Sequence, residues 1–155
     1  MGARHCGELG INLQKIIDRL MANDELVKLL YYEDKDPLNG QTLTTEAKRK
    51  EVYEKLIKVV PKLTNDNNSK SKIVVYFDKG IKGFNNSEFI NIGITVDIFV
   101  PLHQWFIKDS NLRPFAIMGE IQKSLDEKTI NGLGKLECGD FNLKLITDEM
   151  SCYTQ

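Results

Sequence analysis

Two histidines and three thiols hold what nucleophilic chemistry the chain could offer: His5 and His103, with Cys6, Cys138 and Cys152. A nucleophile needs a base within reach and a site for an oxyanion. His5 adjoins Cys6 in a polar opening stretch, and no glycine-framed turn surrounds Cys138 or Cys152. These thiols therefore read as small residues in or beside strands. A metal-dependent nuclease needs clustered carboxylates near a lysine. Asp78 with Lys79, Glu137 with Asp140, and Glu88 are loose candidates without a defining spacing. The run Asp34-Lys35-Asp36-Pro37-Leu38-Asn39-Gly40 alternates carboxylates as a calcium loop does. Its glycine falls at the seventh position instead of the sixth, and Thr45 stands at the twelfth, where a bidentate carboxylate is required. Gly132-Leu133-Gly134 lacks the lysine and hydroxyl of a phosphate loop and precedes a strand-like segment. The sequence thus predicts no catalytic residue, no metal and no cofactor. A small hydrolase or nuclease using Asp78, Glu88 or a cysteine is the alternative from another class.

The elements that would position these residues change character midway. Leu13, Ile16, Ile17, Leu20 and Met21 form one apolar helical stripe. Asn23 or Asp24 can cap a second short helix over Leu26, Val27, Leu29 and Leu30. Thr44 or Thr45 can cap a further stripe of Val52, Tyr53, Leu56, Ile57 and Val60, which Pro61 stops. After the polar stretch from Thr64 to Ser71, read as a loop, the period switches to two. Ile73, Val75 and Phe77 alternate in a strand that Asp78-Lys79-Gly80 ends.

In the segment Glu88 to Val100 every second residue from Ile90 onward is Ile or Val, the other face carrying Phe89, Asn91, Gly93, Thr95, Asp97 and Phe99. At ~3.3 Å per residue such a strand would extend about 43 Å, long enough to outrun a small domain. Asn111 and Pro114 announce a helix with Phe115, Met118, Ile121 and Leu125 on one side. A turn at Asn131-Gly132-Leu133-Gly134 leads to a strand through Phe141, Leu143 and Leu145, and Ser151 to Gln155 begin another. The expected fold is α+β: an antiparallel or mixed β-sheet flanked by helices, with a long β-hairpin, the helices packing on the Ile/Val face. Residues 1–10 are expected as a poorly ordered lead-in and 11–155 as a single α+β domain.

The 155 residues suffice for one domain with a real core. Their 21 Lys+Arg against 22 Asp+Glu leave no basic excess to condense onto phosphates. No apolar run reaches the ~18 residues of a membrane span, and residues 1–10 lack the apolar core of a secretory signal. An odd number of cysteines without metal spacing favours a reducing compartment. A soluble, intracellularly synthesised protein is expected. Aromatic residues at segment ends, Tyr31-Tyr32 and Trp105-Phe106, are candidates for an interface.

Two stretches go beyond generic pattern. Val100-Pro101-Leu102-His103-Gln104-Trp105-Phe106-Ile107-Lys108-Asp109 runs on to Leu112-Arg113-Pro114-Phe115, and Ile130-Asn131-Gly132-Leu133-Gly134-Lys135-Leu136 comes after it. Together with Leu26 to Tyr32 and Asp36-Pro37-Leu38, they resemble small bacteriophage virion proteins of the neck and tail-terminator (tail completion) kind, over most of the chain from about Ile11. The resemblance implies a structural protein without turnover, found in the virion tail or neck and assembled in the host cytoplasm. It implies a homo-oligomeric ring, usually a hexamer, that caps the tail tube protein and meets the head connector or stopper protein. DNA passes only through the lumen, and no membrane is involved. A head-to-tail adaptor is the nearest alternative. Ring closure would use heterologous contacts, with Lys82, Phe84, Asn85, Asn86 and Phe89 of the hairpin reaching a neighbouring subunit beside Trp105, Phe106, Tyr31 and Tyr32.

Overall fold

The structure, a computed structural model, describes residues 2–3, 6–59, 70–82, 90–146 and 150–154. The chain enters as a two-residue strand β1 (Gly2–Ala3), followed by helix α1 (Leu9–Met21) and helix α2 (Asp24–Tyr31). The first ten residues, expected as a lead-in, thus include β1 and the start of α1. Asn23 makes the corner between the two helices, its Oδ1 accepting from the Glu25 and Leu26 amides at 3.0 and 3.1 Å. This satisfies two of the orphan donors at the start of α2.

Helix α3 (Glu46–Glu51) runs into a π-helical stretch, Val52–Leu56, and then into strand β2 (Ile57–Lys58). The single stripe expected here is therefore divided. Val52 and Leu56 are buried on the helical part, Ile57 belongs to the sheet, and Tyr53 is exposed. Val60 and Pro61 lie outside the described residues, as does the polar stretch up to Ser69.

Strands β3 (Lys72–Lys82) and β4 (Ile90–Pro101) pair antiparallel over ten registered positions, from Lys72 opposite Phe99 to Lys82 opposite Ile90. Strand β3 continues past the Asp78-Lys79-Gly80 segment expected to end it. Asp78 is an extra residue: Phe77 faces Ile94, Lys79 faces Gly93, and Asp78 has no place in the ladder. Such a bulge exchanges the faces of the residues beyond it. Val75 and Phe77 lie opposite core-facing Val96 and Ile94, whereas beyond the bulge Gly80 lies opposite Ile92 and Lys79 is kept off the core face.

Beyond β4 come two short antiparallel pairs, β5 (Phe106–Ile107) with β6 (Asn111–Leu112) and, after helix α4 (Arg113–Leu125), β7 (Thr129–Ile130) with β8 (Gly134–Lys135). The chain returns as β9 (Asn142–Ile146) and β10 (Met150–Thr154). The sheet order is β2-β3-β4-β10-β9, mixed because β2 runs parallel to β3. The fold is α+β, as the change of period indicates.

The helices cover the Ile/Val face. Ile16, Ile17 and Leu20 of α1, Leu26, Leu29 and Leu30 of α2, and Ile117, Met118, Ile121 and Leu125 of α4 share one core with Ile73, Val75, Val96, Ile98 and Val100. Phe115 is not on that inner stripe; Ile117 takes its place. The Ile130-to-Leu136 motif serves the same core. Ile130, Leu133 and Leu136 are buried in it, while Gly132, at φ +94°, brings its carbonyl to Asn12 Nδ2 at 3.3 Å. A Cβ there would sit 2.7 Å from Asn12 Oδ1, so the turn needs glycine for backbone and for space.

Candidate interaction surface

Arg113 organises one end of the molecule. Its side chain is fully buried and bonded to backbone carbonyls alone: Nε donates to Gln104 at 3.0 Å, Nη1 to Leu29 at 2.8 Å and to Tyr32, and Nη2 to Asp34. It satisfies carbonyls at the end of α2, where the helix leaves them without partners. Burial draws its pKa down to about 10, opposed by the nearby Asp34 and Glu33 charges, so it remains a cation at neutral pH. Arg-Pro at the head of α4 is thus a clasp between α2, the acidic turn and the segment after β4.

That clasp fixes the aromatic residues singled out from the sequence. Tyr31 and Tyr32 are half-buried against the core with rings 5.3 Å apart, edge to face. Tyr32 donates its hydroxyl to the Gln41 carbonyl, and Lys70 Nζ lies 3.9 Å from the Tyr31 ring centre. Phe106 is 67% exposed, whereas neighbouring Trp105 is half-buried and packs 6.3 Å from Tyr153. Lys82 ends β3; Phe84, Asn85, Asn86 and Phe89 lie outside the described residues.

A surface missed by the sequence reading continues from Trp105. Tyr153 stacks obliquely on Phe115 at 5.2 Å, and Phe115 meets Phe141 edge-on at 6.2 Å. Leu143 lies in register with Tyr153 across the β9/β10 ladder. Phe115 is 39%, Phe141 50% and Leu143 46% exposed, an aromatic and aliphatic patch along β9, whose outer edge pairs with no described strand. Apolar residues on an open edge strand mark a contact surface. The alternation of Phe141, Leu143 and Leu145 was visible in the sequence; that β9 ends the sheet was not.

The sheet's other face holds a polar knot. Asp97, nearly buried, accepts from Tyr76 OH at 3.1 Å, Lys144 Nζ at 3.3 Å and Thr154 Oγ1 at 2.5 Å. Val74, Phe99 and Cys152 pack beside it. Burial raises the Tyr76 pKa, reinforced by Asp97 and opposed by Lys144. Burial alone would lower Lys144, but hydrogen bonds to Tyr76 and Asp97 hold it above its ordinary value. The knot joins β3, β4, β9 and β10 through hydrogen-bonded side chains.

Of the residues weighed for catalysis, His5 and Glu88 lie outside the described residues. Burial pushes the Cys152 thiol up to about 11, with Asp97 adding to the effect, and burial with Asp126 raises Cys138. Both shifts oppose thiolate formation. His103 Nε2 lies 3.3 Å from Gln104 Nε2. In the acidic turn, Asp34 Oδ1 accepts the Asp36 amide, and Asp36 pairs with Lys108 at 3.0 Å and Asn39 at 2.7 Å. Among the described residues no three His, Cys, Asp or Glu are grouped to hold a metal ion, and no helix is long and apolar enough to cross a membrane.

A groove of about 900 Å³ lies between β4 and the 133–140 segment. Every residue from Asn91 to Val96 lines it, both faces of the strand in succession, so it runs along the strand's edge. Leu125 and Leu136 line it from the core side, and Glu137, Cys138 and Asp140 from the loop.

The family model described as YomW matches residues 23–155 of the chain. No curated protein and no solved structure matches it.

Proposed function

The chain belongs to the YomW family, and from that starting point we propose that it is a structural virion protein, a tail terminator or completion protein forming a ring at the head–tail junction. In this reading the ring, a hexamer, caps the tail tube and joins it to the head connector. The motif resemblance across residues 100–136 suggests the role, and the two open edges of the sheet carry the argument for a ring. Among the described residues, strand β9 is open along its outer side, and β2 covers only Ile73 and Val74 of β3, leaving β3 open from Val75 onward.

The ladders β3/β4, β4/β10 and β10/β9 are all antiparallel, so β9 runs opposite to β3. Rotation about an axis along the strands preserves their direction. The β9 edge of one copy can then meet the β3 edge of the next as an antiparallel ladder, a heterologous contact that closes. The Phe115–Phe141–Leu143 patch beside β9 would be covered in the process.

Light scattering across a concentration series, followed by electron microscopy, tests this. A closed particle near six times 17.7 kDa is expected. A monomer that remains one at every concentration and in the presence of tail-tube protein would overturn the proposal.

A further inference from the structure

The segment that follows α3 folds against its own local preference. From Glu46 to Lys58 the chain contains neither glycine nor proline, and Val52, Tyr53, Leu56 and Ile57 keep helical spacing. An α-helix carried on to Lys58 would set Glu51 beside Lys55 and Glu54 beside Lys58, each acid on the N-terminal side, which is the favourable order. The structure departs from this. The Ile57 amide donates to the Val52 carbonyl, five residues back, and Ile57 and Lys58 leave the helix to pair with Ile73 and Val74. Glu51 meets Lys70 instead, at 3.2 Å, and Tyr53 is left exposed with its hydroxyl on Gln14.

Little holds the strand form in place. Strand β2 is two residues long, ends the sheet among the described residues, and runs parallel to β3, the weaker mode of pairing. The π-helical turn before it is a rare geometry that recurs at functional positions in helices. Against these stands the burial of Leu56 and Ile57 in the shared core. A segment whose local code and tertiary seat disagree can hold two packings close in free energy.

We propose that residues 52–58 are a helix–strand switch that controls access to the edge of β3. In the strand state, β2 covers Ile73 and Val74. In the helical state, 52–58 wind on from α3, Tyr53 turns toward the core, and Ile57 leaves Ile73, uncovering that edge. Arg49 fixes the pivot, its guanidinium donating to the Met21 carbonyl at 2.8 Å and the Leu43 carbonyl at 3.3 Å, so α3 before Val52 stays seated. A strand arriving at Ile73 and Val74 competes with β2 alone, and the free energy of that competition sets the shift. Use of the switch in assembly rests on the ring reading; the switch itself does not.

Chemical-exchange NMR on the isotope-labelled full chain tests it. Residues 52–58, Ile73 and Val74 should exchange as one process on the microsecond-to-millisecond scale, with helical minor-state Cα shifts at Ile57 and Lys58. Ile57→Leu and Ile57→Val both keep an aliphatic side chain in the core, the first favouring helix and the second strand. The minor population should be about three- to five-fold larger in the leucine variant than in the valine one. The proposal fails if the minor-state shifts are those of random coil, which would make the process fraying of a short strand. It fails equally if no minor state reaches about 1%, or if the two variants populate it alike. Light scattering on the same samples reads assembly independently, so absence of a ring would leave this result standing.

Discussion

At the level of single residues, Arg113 and Cys152 give the sharpest expectations. Replacing Arg113 by Met leaves the carbonyls of Leu29, Tyr32, Asp34 and Gln104 without their donor. A loss of about 3 kcal/mol or more is expected in urea unfolding. Arg113→Lys should recover little of it, because one ammonium cannot fork toward carbonyls on separate segments. Cys152, raised from 9.0 to about 11, couples stability to alkaline pH. The folded state favours the neutral thiol. This contribution is therefore complete below about pH 9 and disappears as pH rises through 11, by about 2–3 kcal/mol. Unfolding free energy measured from pH 8 to 11 should fall more in the parent protein than in Cys152→Ala.

At the level of elements, the helical layer depends on two short connections. Asn23 caps α2 and also donates through Nδ2 to the Glu120 carbonyl at 3.2 Å and to Ser124 Oγ at 3.0 Å, joining the α1–α2 corner to α4. Asn23→Ala should cost about 1–2 kcal/mol, with faster amide exchange at the start of α2 as its local signature. Gly132→Ala, strained at positive φ and crowded by Asn12, should cost about 1 kcal/mol or more in the same unfolding measurement. Which elements form was largely readable from periodicity, because helical stripes and the Ile/Val alternation are local. Two misreadings have local causes as well. The bulge at Asp78 breaks the alternation and hides the far half of β3. The π-helical stretch before Ile57 lets one apolar run serve a helix and then a strand.

At the level of the whole molecule, what the sequence could not convey is which strand lies beside which. Phe115, Phe141, Leu143 and Tyr153 are separated by up to 38 positions and form one patch only because the last strand, β10, inserts between β4 and β9. The groove along β4 is hidden for the same reason, since it joins residues 91–96 to the 133–140 segment. If the proposed ring forms through the β9 edge, Leu143→Lys should abolish assembly in light scattering while leaving the monomer's unfolding midpoint nearly unchanged, because Leu143 is 46% exposed.

The unpaired position of Asp78 also bears on which changes of chain length β3 can absorb. Loss of Asp78 would join Phe77 to Lys79 and regularise the ladder with each remaining partner retained, Lys79 still opposite Gly93 and Gly80 opposite Ile92. Loss of Tyr76 has another outcome. The surplus residue would be absorbed upstream, turning Phe77 outward and Asp78 toward the core. Two single-residue deletions, two positions apart, should therefore separate into a tolerated variant and one that unfolds.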